Sequence, residues 1–257
     1  MNGVALALRQ ASYENRAFWR NPAAAFFTVI LPLLFLVLFN AIFGDDQIDV
    51  EGGRADISVF YVPGIAALSV ISACYTNIGM MVSISRDLGV LKRVRGTPLP
   101  AWTFIAGRVL QSMSVAIILV AIVTVAGALL YGVDMPGETM PVFILTVLVG
   151  GAAFCALGLA LTAVIPNSDA APAVANGTIL PLLFISDVFI PLRDPPRWLD
   201  ILGDIFPVKH FSEAIQTSFN PYTEGAGFEW VDLAVVALWG VIGAVVALRF
   251  FTWEPRR

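Results

Sequence analysis

Charge is what this 257-residue chain has least of: 13% of its residues are Asp, Glu, Lys or Arg, against roughly a quarter in soluble domains. Lysine occurs twice (Lys92, Lys209), histidine once (His210) and cysteine twice (Cys74, Cys155). Each scarcity excludes a chemistry. A phosphate-cradling G-x-x-x-x-G-K-[S/T] loop needs a lysine after a glycine, and the two lysines follow Leu91 and Val208. One histidine cannot build a His-x-x-x-His zinc site, and no G-x-S-x-G elbow is present. Both cysteines lie inside apolar runs, where a small buried residue is the expected role rather than a disulfide or metal ligand. No basic patch interleaved with aromatics is present, so a nucleic-acid partner is not expected. No residue pattern in the chain would carry catalysis or hold a cofactor.

What the chain does contain is apolar length. Hydrophobic residues make up 58% of it and its mean hydropathy is +0.82. Several continuous runs approach the roughly 20 residues that cross a bilayer as a helix. A membrane barrel would instead show short alternating strands. The expectation is an all-α polytopic membrane protein, a single domain over 1–257. Six spans are predicted, at about Ala23–Phe43, Ser58–Ile84, Val109–Tyr131, Val142–Ile165, Pro172–Ile190 and Val231–Phe251. Pro32 and Pro181 fall inside spans, where neighbouring helices can satisfy the freed carbonyls.

Lys and Arg set the orientation. With the N-terminus inside, eleven of the fifteen lie on the inner side and four (Arg54, Arg193, Arg197, Lys209) on the outer. Asp45, Asp46, Asp49, Glu51 and Asp56 crowd the first outer loop. Both termini are therefore expected to be cytoplasmic, with no cleaved signal peptide. Residues 4–20 read as an interfacial helix, because Arg9, Arg16 and Arg20 project along one arc beside an apolar face of Val4, Leu8, Ala11, Phe18 and Trp19. Trp19, Trp102, Trp230 and Trp253 fall near predicted membrane boundaries. The stretch 191–229, rich in proline and carrying two short apolar runs, is predicted to form helices that dip into the outer leaflet without crossing.

Small residues recur at helical spacing: Ala152, Ala156 and Ala160, then Gly240 and Ala244. Close helix packing is the expected reason. Among polar groups inside the predicted spans, Asn77, Gln111, Asn176 and Asp187 are candidates for a substrate path, with interhelical hydrogen bonding the plainer role for the amides.

One stretch stands apart. Residues 85–98 form a basic island between the second and third spans. Leu88, Leu91 and Val94 recur every third residue as an apolar stripe, with Arg86, Lys92, Arg93 and Arg95 on the other faces. Gly96 and Pro98 are placed to end a helix. A short amphipathic helix with a charged rim suits a groove on a partner protein.

This island resembles a motif, R-E-x-G-T-L-x-x-L-x-x-x-P, that follows the second span in the membrane subunits of type-2 ABC exporters, close to the daunorubicin-resistance permease group. Here it reads Arg86-Asp87-Leu88-Gly89-Val90-Leu91-Lys92-Arg93-Val94-Arg95-Gly96-Thr97-Pro98, with Asp87 for Glu, Val90 for Thr and Val94 for Leu. Phe189-Ile190-Pro191-Leu192, Pro196-Arg197-Trp198-Leu199 and Phe206-Pro207 are similar to that family's outer re-entrant region. The resemblance implies a permease half, pairing with a second copy or paralogue in a bacterial cytoplasmic membrane and moving an amphipathic drug-like or lipidic substrate outward. It implies that ATP and Mg2+ are bound by a separate ATPase subunit, docked against Arg86, Asp87, Leu88, Leu91, Lys92, Arg93, Val94 and Arg95. The rival readings are an ion- or proton-coupled secondary transporter, which would need midplane ionisable groups, and a non-transporting scaffold.

Overall fold

The structure, a computed structural model, describes residues 3–44, 46–97, 99–186, 188–189, 191 and 196–254. Helix α1 (Gly3–Trp19) lies along the long helix α6 (Ala101–Tyr131). Gly107 lets the two approach until Gln10 and Ala11 sit where its side chain would be. Glu14 and Arg108 close the contact as a largely buried ion pair at 2.9 Å. Arg9, Arg16 and Arg20 remain exposed.

Helix α2 (Pro22–Phe43) follows, then α3 (Ser58–Ile71), a π-helical turn (Ser72–Thr76) and α4 (Asn77–Asp87), which together form one 30-residue apolar helix. The short α5 (Val90–Arg95) comes next, then α6, α7 (Met140–Leu161), α8 (Ala171–Ile185), α9 (Arg197–Ile205), α10 (Pro207–Thr217) and α11 (Trp230–Phe250). Among the described residues, five helices are long and apolar enough to cross a membrane. The predicted fifth span is shorter than expected: α8 has 15 residues, about 22 Å, against a hydrocarbon core of about 30 Å. Ser186 leaves helical geometry at its end, and Ile190 lies outside the described residues.

The core is built on the α3 to α4 helix, whose residues Val62 to Ile78 supply much of the buried apolar cluster. Helices α7 and α11 are packed side by side and run in the same direction, since Gly240 faces Ala153 and Gly243 faces Leu157. The glycines let the backbones touch, which makes the small residues of the last span an internal seam.

The all-α expectation needs one correction. The loop after α2 folds as a β-hairpin, β1 (Gln47–Val50) against β2 (Gly53–Asp56), with Val50 opposite Gly53. Ile48 and Ala55 are opposite each other and buried, while the acidic residues point outward. The turn Glu51-Gly52 needs the positive φ of Gly52 (98°) to reverse the chain in two residues. The loop after α10 locks it: Asn220 donates to Glu51 O at 2.9 Å and the Tyr222 hydroxyl to Arg54 O at 2.9 Å.

Within 191–229 the described residues form two short helices, α9 and α10. They make a V whose apex, Phe206-Pro207, reaches into the bundle. Phe206 stacks on Trp239, and the Trp239 indole donates to Ile205 O at 2.8 Å. Trp239 lies nine residues into α11, roughly 13 Å below its first residue. From there α10 returns, with Phe211 seated on Gly150 and against Phe154, until Ser218 O accepts the Thr139 hydroxyl at the head of α7. The two arms are too short to cross and are held by buried packing.

Candidate functional site

The basic island does not fold as one helix over 85–98. Helix α4 runs on to Asp87, the chain breaks at Leu88-Gly89, and α5 begins at Val90. Gly89 sits at φ +69°, a left-handed conformation that L side chains resist, with open space where a Cβ would be. The glycine is there for its backbone freedom. Pro98 lies outside the described residues, and the helix ends at Arg95 with Gly96 as its cap.

That break divides the predicted interface residues into two groups. Arg86 points inward and is 1% exposed. Its Nη1 donates to Thr162 O at 2.9 Å and its Nη2 to Ile165 O at 2.7 Å, the turn that ends α7. Asp87, beside it, accepts the Ser168 backbone N–H at 2.5 Å and lies 3.6 Å from the Arg86 Nε. A planar, permanently charged guanidinium suits two carbonyls at once, where a lysine would offer a single point of contact. Arg86 and Asp87 thus bolt the inner end of α4 to the α7–α8 connection. As an exposed docking group for a partner, Arg86 is corrected by its burial.

The apolar stripe is also turned inward. Leu91 is fully buried in the main core and Val94 packs against that core. Leu88 falls in the break and is 66% exposed. The ridge expected to fit a partner's groove therefore seats α5 on its own protein, against α4 and α6. Sequence periodicity located the ridge and could not say which body it faces. Left on the surface are Leu88, Lys92, Arg93 and Arg95, a cationic face with one apolar side chain. Arg93 reaches back to Leu88 O at 3.2 Å, bracing the break.

The substrate-path candidates are not gathered into one place. Gln111 is buried on α6, Asn77 is half-buried just after the π turn, and Asn176 is exposed on α8. Asp187 lies outside the described residues. The structure instead shows an apolar cavity of about 330 Å3 at the apex of the α9–α10 V. It is lined by Tyr75, Phe154, Leu157, Thr178, Ile179, Leu182, Phe206, Pro207, Val208 and Trp239, and none of Asn77, Gln111 and Asn176 contributes. Tyr75 and Thr178 join hydroxyls across it at 2.8 Å. Tyr75 comes from the π turn, whose extra residue shifts the helix register there, and such turns are frequent at functional sites. No periodicity signal marks a π turn, so sequence reasoning passed over Tyr75.

The α9–α10 arm is fastened by charge. Lys209 on α10 binds Asp200 at 2.6 Å and Asp204 at 2.7 Å on α9. Burial works to lower its ammonium, and the two carboxylates with nearby Glu213 outweigh that, holding it above the usual lysine value. His210 is held in the same way: burial opposes its charge, and the Asp204 carbonyl, Asp232 and Glu213 raise it above the ordinary imidazole range.

Fold and site together define a polytopic helical membrane protein in which a short basic helix is bolted to the ends of its spanning helices. The chain belongs to the ABC-2 type transporter family, whose pattern it matches over residues 10–220. Among its relatives, the putative transport permease ycf38 of Porphyra purpurea is 25% identical over 236 residues, covering 91% of this chain and 79% of that protein. The daunorubicin resistance ABC transporter permease protein DrrB1 of Streptomyces coeruleorubidus is 26% identical over 235 residues, 90% of this chain and 80% of that one. The probable multidrug ABC transporter permease YbhR of Escherichia coli (strain K12) is 25% identical over 164 residues, 62% of this chain and 43% of that one.

Proposed function

We propose that this chain is the membrane half of an ATP-driven exporter, moving an amphipathic drug-like or lipidic substrate outward. ATP and Mg2+ belong to a separate cytoplasmic ATPase, and a second copy or a paralogue completes the transport path. The observation that carries this reading is the construction of the inner end. Helix α5 presents Lys92, Arg93 and Arg95 outward, while Leu91 and the Arg86–Asp87 bolt fix it to α4, α6 and the α7–α8 connection. A push on α5 then moves span ends together instead of bending a loop. Membership of the ABC-2 type family supports the class. The apolar cavity at Tyr75 and Thr178, with a single hydroxyl pair, supports an amphipathic cargo over an ion. On this reading the termini and α5 face the cytoplasm of a bacterial inner membrane, in line with the Lys and Arg distribution.

The test is charge reversal on the exposed face alone. Lys92→Glu, Arg93→Glu and Arg95→Glu together should leave expression unchanged and shift thermal stability only slightly, through loss of the exposed Arg93 bond to Leu88 O. They should also abolish co-purification with the proposed ATPase partner, and ATP-dependent substrate efflux with it. Full co-purification and efflux by the triple variant would remove α5 as the coupling surface. Transport that follows a proton gradient without ATP would replace the proposal with secondary transport.

A further inference from the structure

The transport reading leaves one side-chain cluster unused. His210 and Glu213 lie one turn apart on α10, and Asp232 lies in the first turn of α11. One donor atom from each falls within 4.8 Å of the other two. The imidazole is the informative member. Its Nε2 is 2.9 Å from Asp204 O, an oxygen that can only accept, so Nε2 carries a hydrogen. In the neutral ring Nδ1 therefore carries the lone pair, and it faces Asp232 Oδ1 at 2.7 Å. Two acceptors at that distance require a positive species between them. A proton satisfies two atoms, whereas this site brings a second carboxylate, that of Glu213, into the same cluster.

We infer that His210, Glu213 and Asp232 form a site for a borderline divalent cation of the zinc type, joining the re-entrant arm α10 to the last spanning helix. One imidazole nitrogen with two carboxylate oxygens is a donor set for such an ion, whereas Mg2+ and Ca2+ favour all-oxygen sites. Zn–N and Zn–O bonds of about 2.0–2.2 Å need donors roughly 3.3 Å apart, so the His210–Asp232 gap opens by about 0.6 Å. The Asp204 carbonyl on Nε2–H is the kind of partner that orients a metal-bound histidine. Electrostatics favour a cation as well. The Glu213 and Asp232 carboxylates bring negative charge to the site, and Asp200 and Asp204 share Lys209 on the adjoining turn. His210 and Asp232 side chains are 12% and 15% exposed, shielded yet reachable from the outer surface. Three protein ligands leave a coordination position for water.

The experiment uses the full chain, free of any histidine tag, in detergent and stripped with a chelator. Zn2+ titrated by calorimetry should fill a single site and raise the melting temperature. Co2+ at the same site should give the visible absorption of a low-coordinate ion. Glu213→Gln and Asp232→Asn should each weaken Zn2+ binding by roughly tenfold or more, and His210→Ala should abolish the cobalt band. Mg2+ and Ca2+ in excess should not displace Zn2+. Absence of saturable Zn2+ binding by the stripped wild type, or equal affinity in Glu213→Gln, overturns the assignment. Glu213→Gln also decides the matter if His210→Ala fails to fold. None of these readouts depends on an ATPase or on transport, so the site can fail while the exporter reading stands.

Discussion

Replacing Arg86 by alanine should loosen the inner end of the bundle without unfolding it. The guanidinium makes two hydrogen bonds to the carbonyls of Thr162 and Ile165 from a fully buried position. Bonds from a charged donor contribute about 1.5–3 kcal/mol each. Deletion also relieves the cost of holding a charge out of water, which offsets part of that gain, so the net loss is about 2–4 kcal/mol. A local opening easier by that amount is roughly 30- to 700-fold more frequent. The assay is amide hydrogen exchange on the α7–α8 connection. The Ile165 and Ser168 amides are the direct reporters, because they are bonded to Leu161 O and to Asp87. Arg86→Lys keeps a charge but reaches one carbonyl instead of two, so it should fall between wild type and alanine. On the proposed exporter reading, coupling should suffer in parallel: ATP hydrolysis with the ATPase partner should persist while efflux drops. Unchanged exchange at both amides, together with normal efflux, would refute the claim that Arg86 bolts α4 to α7.

Two further substitutions test the packing that places the site. Leu91→Ala should cost about 2–5 kcal/mol, because it empties a buried position beneath α5. Leu88→Ala, at an exposed position, should stay within about 0.5 kcal/mol; detergent-phase thermal unfolding separates the two. Gly150→Ala should destabilise by about 1–3 kcal/mol, because a Cβ there would fall inside the Phe211 ring and push the re-entrant arm outward. A second substitution, Phe211→Leu, should recover part of the melting temperature, and no recovery would mean that the ring is not the obstacle.

Much of the architecture was readable from residue order. The runs that became α2, α3 with α4, α7 and α11 were located to within a few residues, because apolar length is a property of contiguous sequence, whereas α6 begins at Ala101, eight residues before its predicted span. The proline-rich stretch 191–229 resolved into two short helices for the same reason: neither apolar run is long enough to cross. The hairpin at 47–56 was missed. Its alternation is four residues per strand and its faces are dominated by acidic side chains, so the loop charge hid Ile48 and Ala55, which the turn at Gly52 pairs. The helix predicted over 85–98 is partly present, as α5 (Val90–Arg95). Spacing found Leu88, Leu91 and Val94, but one left-handed glycine moved Leu88 out of the helix, and the ridge turned toward the protein itself.

By itself, then, the sequence determined the solvent this chain folds in, the helices that solvent demands, and the family those helices and the basic motif belong to. These are sums over neighbours in the chain, and such sums need no folded partner. Only the tertiary structure decided that Arg86 is a bolt while Lys92, Arg93 and Arg95 are a surface. It also decided that Tyr75 meets Thr178 at the foot of a cavity, and that His210 meets Asp232. Each of these depends on a group 22 to 103 residues away in the chain. A charged side chain is drawn in only where carbonyls or carboxylates already wait for it. Where they wait is set by how the helices pack.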